Sequence, residues 1–220
     1  MVGPSGAGKT AISKAMAKAG IPYVVSYTTR PMREGETDGV EHHFISEEDV
    51  LFLVGYLTYS RMDAHEPGSL VQVPAYTRIN GYRYFVTQAQ LLEHPVVTYV
   101  IDEKGLLELE QWALTERVLG RAIHIIPVYI DRDKEDIARH TDAERMARDN
   151  ERTALPEDTY TIRVINDSPS LDQLNLWAEN FGFAMKTVVD STGVKPCTLN
   201  TGDAVLLHIV NKLNNVQHHE

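Results

Sequence analysis

Residues Gly3-Pro4-Ser5-Gly6-Ala7-Gly8-Lys9-Thr10 satisfy the pattern G-x-x-x-x-G-K-[ST]. Glycine at these positions lets the backbone wrap tightly enough for successive N–H groups to point at phosphate oxygens. The loop opens onto a helix, whose N-terminus favours negative charge. Lys9 is placed to reach β- and γ-phosphates, and the Thr10 hydroxyl to ligate Mg²⁺. Gly3, Ser5, Gly6, Ala7, Gly8, Lys9 and Thr10 are therefore the candidate residues for holding ATP with Mg²⁺. A chance glycine turn is the alternative. A helical stripe of Ala11, Ile12, Ala15, Met16 and Ala19 begins at once, which argues against it.

A second cluster suits anions as well. Arg30 and Arg33 lie three apart in a polar segment, with hydroxyls nearby at Ser26, Thr28 and Thr29. Two guanidinium forks with hydroxyl donors make a phosphate clamp; a pair of solvated loop arginines is the alternative. Further along, Arg139, Arg145, Arg148 and Arg152 stand in a highly charged stretch. Positions 145, 148 and 152 share one helical face. Arginines so placed could stabilise charge on a migrating phosphoryl group. The alternative is a solvated helix laced with Asp142, Glu144, Asp149 and Glu151.

These groups need elements to position them. The helix after the glycine loop stops at Gly20, with Pro22 beyond. Tyr23 to Tyr27 reads as a short buried strand and Thr28 to Gly39 as a loop. Ser46 caps a helix start, with Asp49 three residues on. Residues 60–75 read as an irregular insertion. Val96 to Ile101 reads as a strand buried on both faces, ending in Asp102. A helix over 105–119, a strand over 123–130, a charged helix over 133–152, a strand over 162–165 and a helix over 171–179 follow. The order argues an α/β fold with a mostly parallel sheet. After Gly182 the pattern changes: 193–202 is turn-rich, and 204–216 reads as a helix with one apolar face. Only Met1 and Val2 precede the glycine loop, where a strand of about five residues is usual. The reading is that the natural start lies upstream.

The chain has 220 residues, enough for one well-buried core, or for one core carrying small mobile subdomains. No apolar run approaches the roughly 20 residues of a membrane span. Net charge is −10, which disfavours binding to long nucleic acid. The nine histidines show no metal-ligand spacing. A single cysteine, Cys197, fits a reducing, cytoplasmic setting. Oligomeric state is not legible.

The glycine loop, together with Ser26-Tyr27-Thr28-Thr29-Arg30-Pro31-Met32-Arg33-Glu34-Gly35-Glu36-Thr37-Asp38-Gly39-Val40-Glu41-His42-His43-Phe44-Ile45-Ser46, resembles the guanylate kinase family. The resemblance continues through Asp102, Arg145 and Val164-Ile165-Asn166-Asp167. It covers roughly residues 1–180, strongly up to 46. It implies a P-loop NTPase fold with an acceptor-binding subdomain over about 30–90 and a short helical lid over about 132–153. Residues 181–220 would form an extension. It implies that Lys9, Arg30, Arg145 and Arg139 serve catalysis and that Asn166 lies near adenine. It implies that Ser26, Arg30 and Arg33 hold the acceptor's phosphate, with Tyr84 near the acceptor and Asp102 where Mg²⁺-bound water or the acceptor could meet it. His42 falls where the family usually has a tyrosine that touches this phosphate; histidine can also donate a hydrogen bond.

The base-reading half departs from the family. A tyrosine, glycine, hydroxyl run becomes Tyr84-Phe85-Val86, and the family's glutamate falls on Ala75 or Thr58, neither acidic. Asp63 or Glu66 could substitute. The leading expectation is ATP-dependent phosphotransfer to a nucleoside monophosphate, GMP or dGMP by resemblance. A non-catalytic binding module and a P-loop kinase for another small phosphorylated acceptor stay open beside it.

Overall fold

The computed structural model describes residues 1–50, 72–142, 146, 149, 152–189 and 197–200. They fall into two compact units. One comprises Met1–Tyr23, Val96–Glu103 and the chain from His124 onward; the other comprises Val24–Pro95 and Lys104–Ile123. Among the described residues no helix is long and apolar enough to cross a membrane.

The first unit is built on parallel strands. β7 (Val128–Asp131) pairs with β8 (Ile162–Ile165), and β8 with β9 (Cys197–Asn200), all in parallel register. β7 is shorter than the strand expected over 123–130: its ladder with β8 begins at Val128, just after Pro127, whose carbonyl accepts from the Ile162 N–H at 3.1 Å. Met1 and Val2 enter the same layer. Val2 donates to the Val128 carbonyl and accepts from Ile130, both at 2.8 Å, and the Met1 carbonyl accepts from Ile101. Two residues thus occupy a central strand position, beside β6 (Thr98–Tyr99). Val2 is fully buried, so the loop that follows starts from a fixed point.

Helix α1 (Lys9–Lys18) and α5 (Leu171–Val189) pack on each other. Ile12, Ala15 and Met16 of the first meet Trp177, Ala178, Phe181 and Met185 of the second in one apolar cluster with Val128, Ile130, Ile162 and Val164. The rings of Trp177 and Phe181 stack at 4.9 Å. α5 runs ten residues past the helix end expected at 179, and the boundary expected at 180 falls inside it. Gly182 does not stop it. A Cβ there would come within 2.9 Å of the Ala19 side chain and 3.3 Å of the Met16 backbone, so glycine serves close helix approach. The turn-rich reading of 193–202 is corrected at Cys197–Asn200, which is a strand; the rest of that span lies outside the described residues. The helix expected over 204–216 lies outside the described residues.

The charged helix expected over 133–152 is not continuous. α4 spans Lys134–His140, capped by Asp133, whose carboxylate accepts from the Glu135 and Asp136 N–H groups. Thr141 is extended and ends it, lying against Gly6: a Cβ on that glycine would be 2.1 Å from the Thr141 hydroxyl.

The second unit carries a four-stranded sheet in the order β3-β2-β5-β4, from β2 (Tyr27–Thr28), β3 (His43–Phe44), β4 (Ala75–Ile79) and β5 (Tyr82–Val86). β2 and β3 are parallel and the other pairs antiparallel. Asn80 and Gly81, with φ of 51° and 82°, make the tight hairpin of β4 and β5, as a type I′ turn requires. The strand expected over 23–27 is split: β1 is Tyr23–Val24, and the ladder resumes only at Tyr27. Between them the Val25 carbonyl is taken by the Gln90 side chain at 2.7 Å, from a short helix α2 (Gln88–Leu92) capped by Thr87. Helix α3 (Glu103–Val118) supplies Glu108, which accepts from the Tyr76 N–H at 2.7 Å and so holds the edge strand β4. The Ser46 cap is present, with its hydroxyl accepting from the Asp49 N–H at 3.0 Å. Residues 51–71, including Thr58, Asp63 and Glu66, lie outside the described part.

Candidate active site

In the first unit the glycine loop closes directly onto α1. Gly8 has φ 99° and caps the helix, its carbonyl accepting from Ile12 at 2.9 Å. A Cβ on Gly8 would sit 2.7 Å from the Asn166 amide nitrogen. That amide is buried, at 2% exposure, and donates to the Ala7 carbonyl at 2.8 Å. Asn166 therefore braces the loop backbone from β8's end. Lys9 folds back over the loop, its ammonium donating to the Gly3 and Pro4 carbonyls at 2.7 Å each. Thr10 is exposed at the first turn of α1.

The loop already holds an anion. The Asp149 carboxylate accepts from the Ser5 N–H at 2.6 Å and from the Ser5 hydroxyl at 3.2 Å. Arg152 fixes that neighbourhood. Its guanidinium grips Glu103 in two parallel bonds of 3.0 and 2.6 Å, and donates to the Gly3 carbonyl at 2.5 Å. Burial works against the charge on Arg152, yet the hydrogen bonds to Glu103 hold its pKa above the ordinary arginine value. A backbone N–H and a hydroxyl that bind a carboxylate fit a phosphate oxygen equally, so the residues present suit a nucleotide's phosphate tail.

In the second unit alternation gathers the acceptor candidates on one face of the sheet. Register places Phe44, Thr28, Tyr84 and Thr77 across one row. Tyr27, Phe85 and His43 fall on the other face, where Tyr27 stacks on Phe85 at 5.2 Å. The Ser26 hydroxyl and His42 Nδ1 are 2.9 Å apart. The His42 ring meets Tyr84 edge-on at 5.6 Å and Phe44 at 5.9 Å. The Arg30 guanidinium lies over Phe44, 5.3 Å from the ring centre, and is only 7% exposed. Glu36 engages it with two bonds of 2.8 Å and also accepts from the Arg33 N–H at 2.8 Å. Burial alone would raise the Glu36 pKa, but the bonds from Arg30 and Arg33 bring it below the usual carboxylate value. Burial, and then the Arg30 charge, push His42 down to about 4, so its ring is neutral near neutral pH.

The structure thus brings Ser26, Arg30, His42 and Tyr84 together, with Arg33 exposed beside them. Asp102 directly follows Ile101, whose N–H bonds the Met1 carbonyl at the root of the glycine loop. Arg139 is exposed and pairs with Asp136 at 2.8 Å on its own helix. Arg145 and Arg148 lie outside the described residues. Sequence reasoning did not single out Glu36, Glu103 or Asp149. Glu36, three residues after Arg33 in a turn, was the one with a local signal. Glu103 and Asp149 meet the loop only through tertiary folding.

A glycine loop closed on a helix N-terminus, rooted in a parallel sheet, defines a P-loop nucleotide-binding protein. A family model described as guanylate kinase matches residues 1–54. The guanylate kinase of Sphingopyxis alaskensis is 32% identical over 174 residues, covering 74% of this chain and 72% of that one. The chain belongs to the guanylate kinase family, whose members are nucleoside monophosphate kinases. The guanylate kinase of Helicobacter hepaticus is 34% identical, and there the match covers 50% of this chain and 51% of the relative. A crystal structure of guanylate kinase from Anaplasma phagocytophilum shares the fold, with a TM-score of 0.55, 18% identity and 84% of each chain covered.

Proposed function

We propose that this chain moves the terminal phosphate of ATP onto a nucleoside monophosphate, with GMP or dGMP the favoured acceptor. The observation that carries this is the assembly of Ser26, Arg30, His42 and Tyr84 on one sheet face. A buried guanidinium held in place by Glu36 and flanked by the neutral hydrogen-bonding groups of Ser26, His42 and Tyr84 suits the dianion of a phosphate monoester. In the other unit, the Ser5 N–H and Lys9 suit the triphosphate tail. Thr10 would hold Mg²⁺, which when bound neutralises charge on phosphate oxygens. An acceptor phosphate oxygen attacks the γ-phosphorus and the bond to the β–γ bridging oxygen breaks, with no covalent enzyme intermediate. Arg139 and Arg145 are the proposed lid donors toward the migrating charge. The single Cys197 suits a reducing, cytoplasmic setting.

One observation favours a second acceptor base. On the Tyr84 face, Ala75, Thr77 and Val86 are all neutral. Guanine offers N1–H and an amine, which a carboxylate accepts together; these three residues offer one hydroxyl, that of Thr77, and no carboxylate. Polar sites reject mismatched bases strongly, so altered groups alter preference. A coupled assay with ATP–Mg²⁺ and a panel of GMP, dGMP, AMP, CMP, UMP and dTMP tests both readings. Turnover with GMP or dGMP supports the first, turnover confined to another base the second, and none with any defeats both.

A further inference from the structure

We propose that His42 is a positioning residue that acts through Ser26: its Nδ1–H donates to the Ser26 oxygen and so turns the Ser26 hydroxyl proton toward the acceptor's phosphate. The proposal rests on the acceptor-site reading above. It starts from the Ser26 Oγ to His42 Nδ1 contact at 2.9 Å, beside which the Ser26 backbone also accepts from the ring. One proton occupies the Oγ–Nδ1 bond. If Ser26 supplied it, the hydroxyl's only proton would be spent, and its lone pairs would confront phosphate oxygens. If His42 supplies it, the serine proton remains for the anion, and the two groups form a chain of donors pointing one way.

The ring cannot settle the matter by charging. Arg30 faces it, and Glu36 and Glu41 are the carboxylates near enough to oppose Arg30, yet burial and Arg30 prevail and keep His42 neutral near pH 7. Its role is therefore decided by tautomer. Tyr84 and Phe44 meet the ring edge-on, at interplanar angles of 70° and 82°, and fix its orientation. A neutral ring with its proton on Nδ1 has a bare Nε2. It cannot also donate from that nitrogen, which distinguishes this arrangement from a direct phosphate contact through Nε2.

The test uses side chains that mimic one nitrogen each. The amide N–H of H42N stands where Nδ1–H does, and that of H42Q where Nε2–H would. With the monophosphate that wild-type protein turns over, H42N should keep the acceptor KM within about threefold. H42Q and H42A should each raise it about tenfold, near the worth of one hydrogen bond to a charged group, with kcat changed much less. In S26A the H42A change should add nothing, because the two residues act as one unit. Additive losses, or H42Q matching wild type while H42N fails, would overturn the proposal. A second readout needs no turnover or variant: ¹⁵N spectra of wild-type His42 with saturating inorganic phosphate should show Nδ1 protonated, and protonated Nε2 would overturn it. If no monophosphate is turned over, the acceptor reading fails instead, and the tautomer measurement still decides this one.

Discussion

The carboxylate of Asp149 sits on the backbone N–H of Ser5, 2.6 Å from it, within the loop that a nucleotide's phosphates would use. It also bonds the Ser5 hydroxyl. An incoming phosphate must displace this carboxylate. Replacing it should therefore strengthen nucleotide binding: D149A is expected to tighten the ATP–Mg²⁺ Kd about tenfold, or ~1.4 kcal/mol. Titration calorimetry reads the change, and weaker binding would show that Asp149 assists the nucleotide instead.

Glu36 and Arg30 form the buried pair under the acceptor clamp. E36Q keeps the shape but removes the charge that orders the guanidinium, and is expected to raise the acceptor KM about tenfold with little effect on the ATP KM. The sign of its pH effect follows from the lowered Glu36 pKa. The stability this pair contributes is present above the ordinary carboxylate pKa of about 4.3 and is lost as pH falls through the lower folded value. Wild type should lose more stability than E36Q between pH 6 and pH 3 in urea unfolding. Equal losses would contradict the assignment.

His42 gives a second, separable pH signal. Its folded pKa of about 4 lies below the ordinary value of 6.5. The preference for the neutral ring thus adds stability above pH 6.5 that is withdrawn as pH falls toward 4. Ring resonances of His42 should stay unchanged from pH 8 to about 5.5 and titrate with a midpoint near 4. A midpoint near 6.5 would mean that the ring is solvated.

Core packing allows a check on the first unit. Phe181 is fully buried and stacks on Trp177. F181A should cost about 3–5 kcal/mol in denaturant unfolding. G182L should also destabilise, since its Cβ alone would press to 2.9 Å from Ala19. A neutral G182L would mean that α1 and α5 lie farther apart than described.

Local patterns carried much of this molecule. The glycine loop is legible because its chemistry is written in eight adjacent residues, and α1 because its apolar stripe follows at once. The strands at 98–99 and 162–165 lie within apolar runs, as buried parallel strands do. What failed was continuity. Charge density made 133–152 read as one helix, but Thr141 turns extended where it lies against Gly6. The helix read over 171–179 stops short of Gly182, whereas contact with α1 makes that glycine a packing residue inside a longer helix. Cys197–Asn200 has no strong strand pattern and gains its strand from pairing with β8. The site divides the same way. Arg30 and Ser26 could be found from a short segment, while Glu103, Asp149 and Asn166 reach the loop only across long stretches of chain.

The most direct test of the central claim is transfer itself: incubate full-length protein with γ-labelled ATP, Mg²⁺ and each monophosphate, and separate the nucleotide products. Labelled diphosphate should form with at least one of them, GMP or dGMP foremost, and fall by about 10²–10³ in K9A and R30A. No labelled diphosphate above the K9A background with any acceptor would contradict the account.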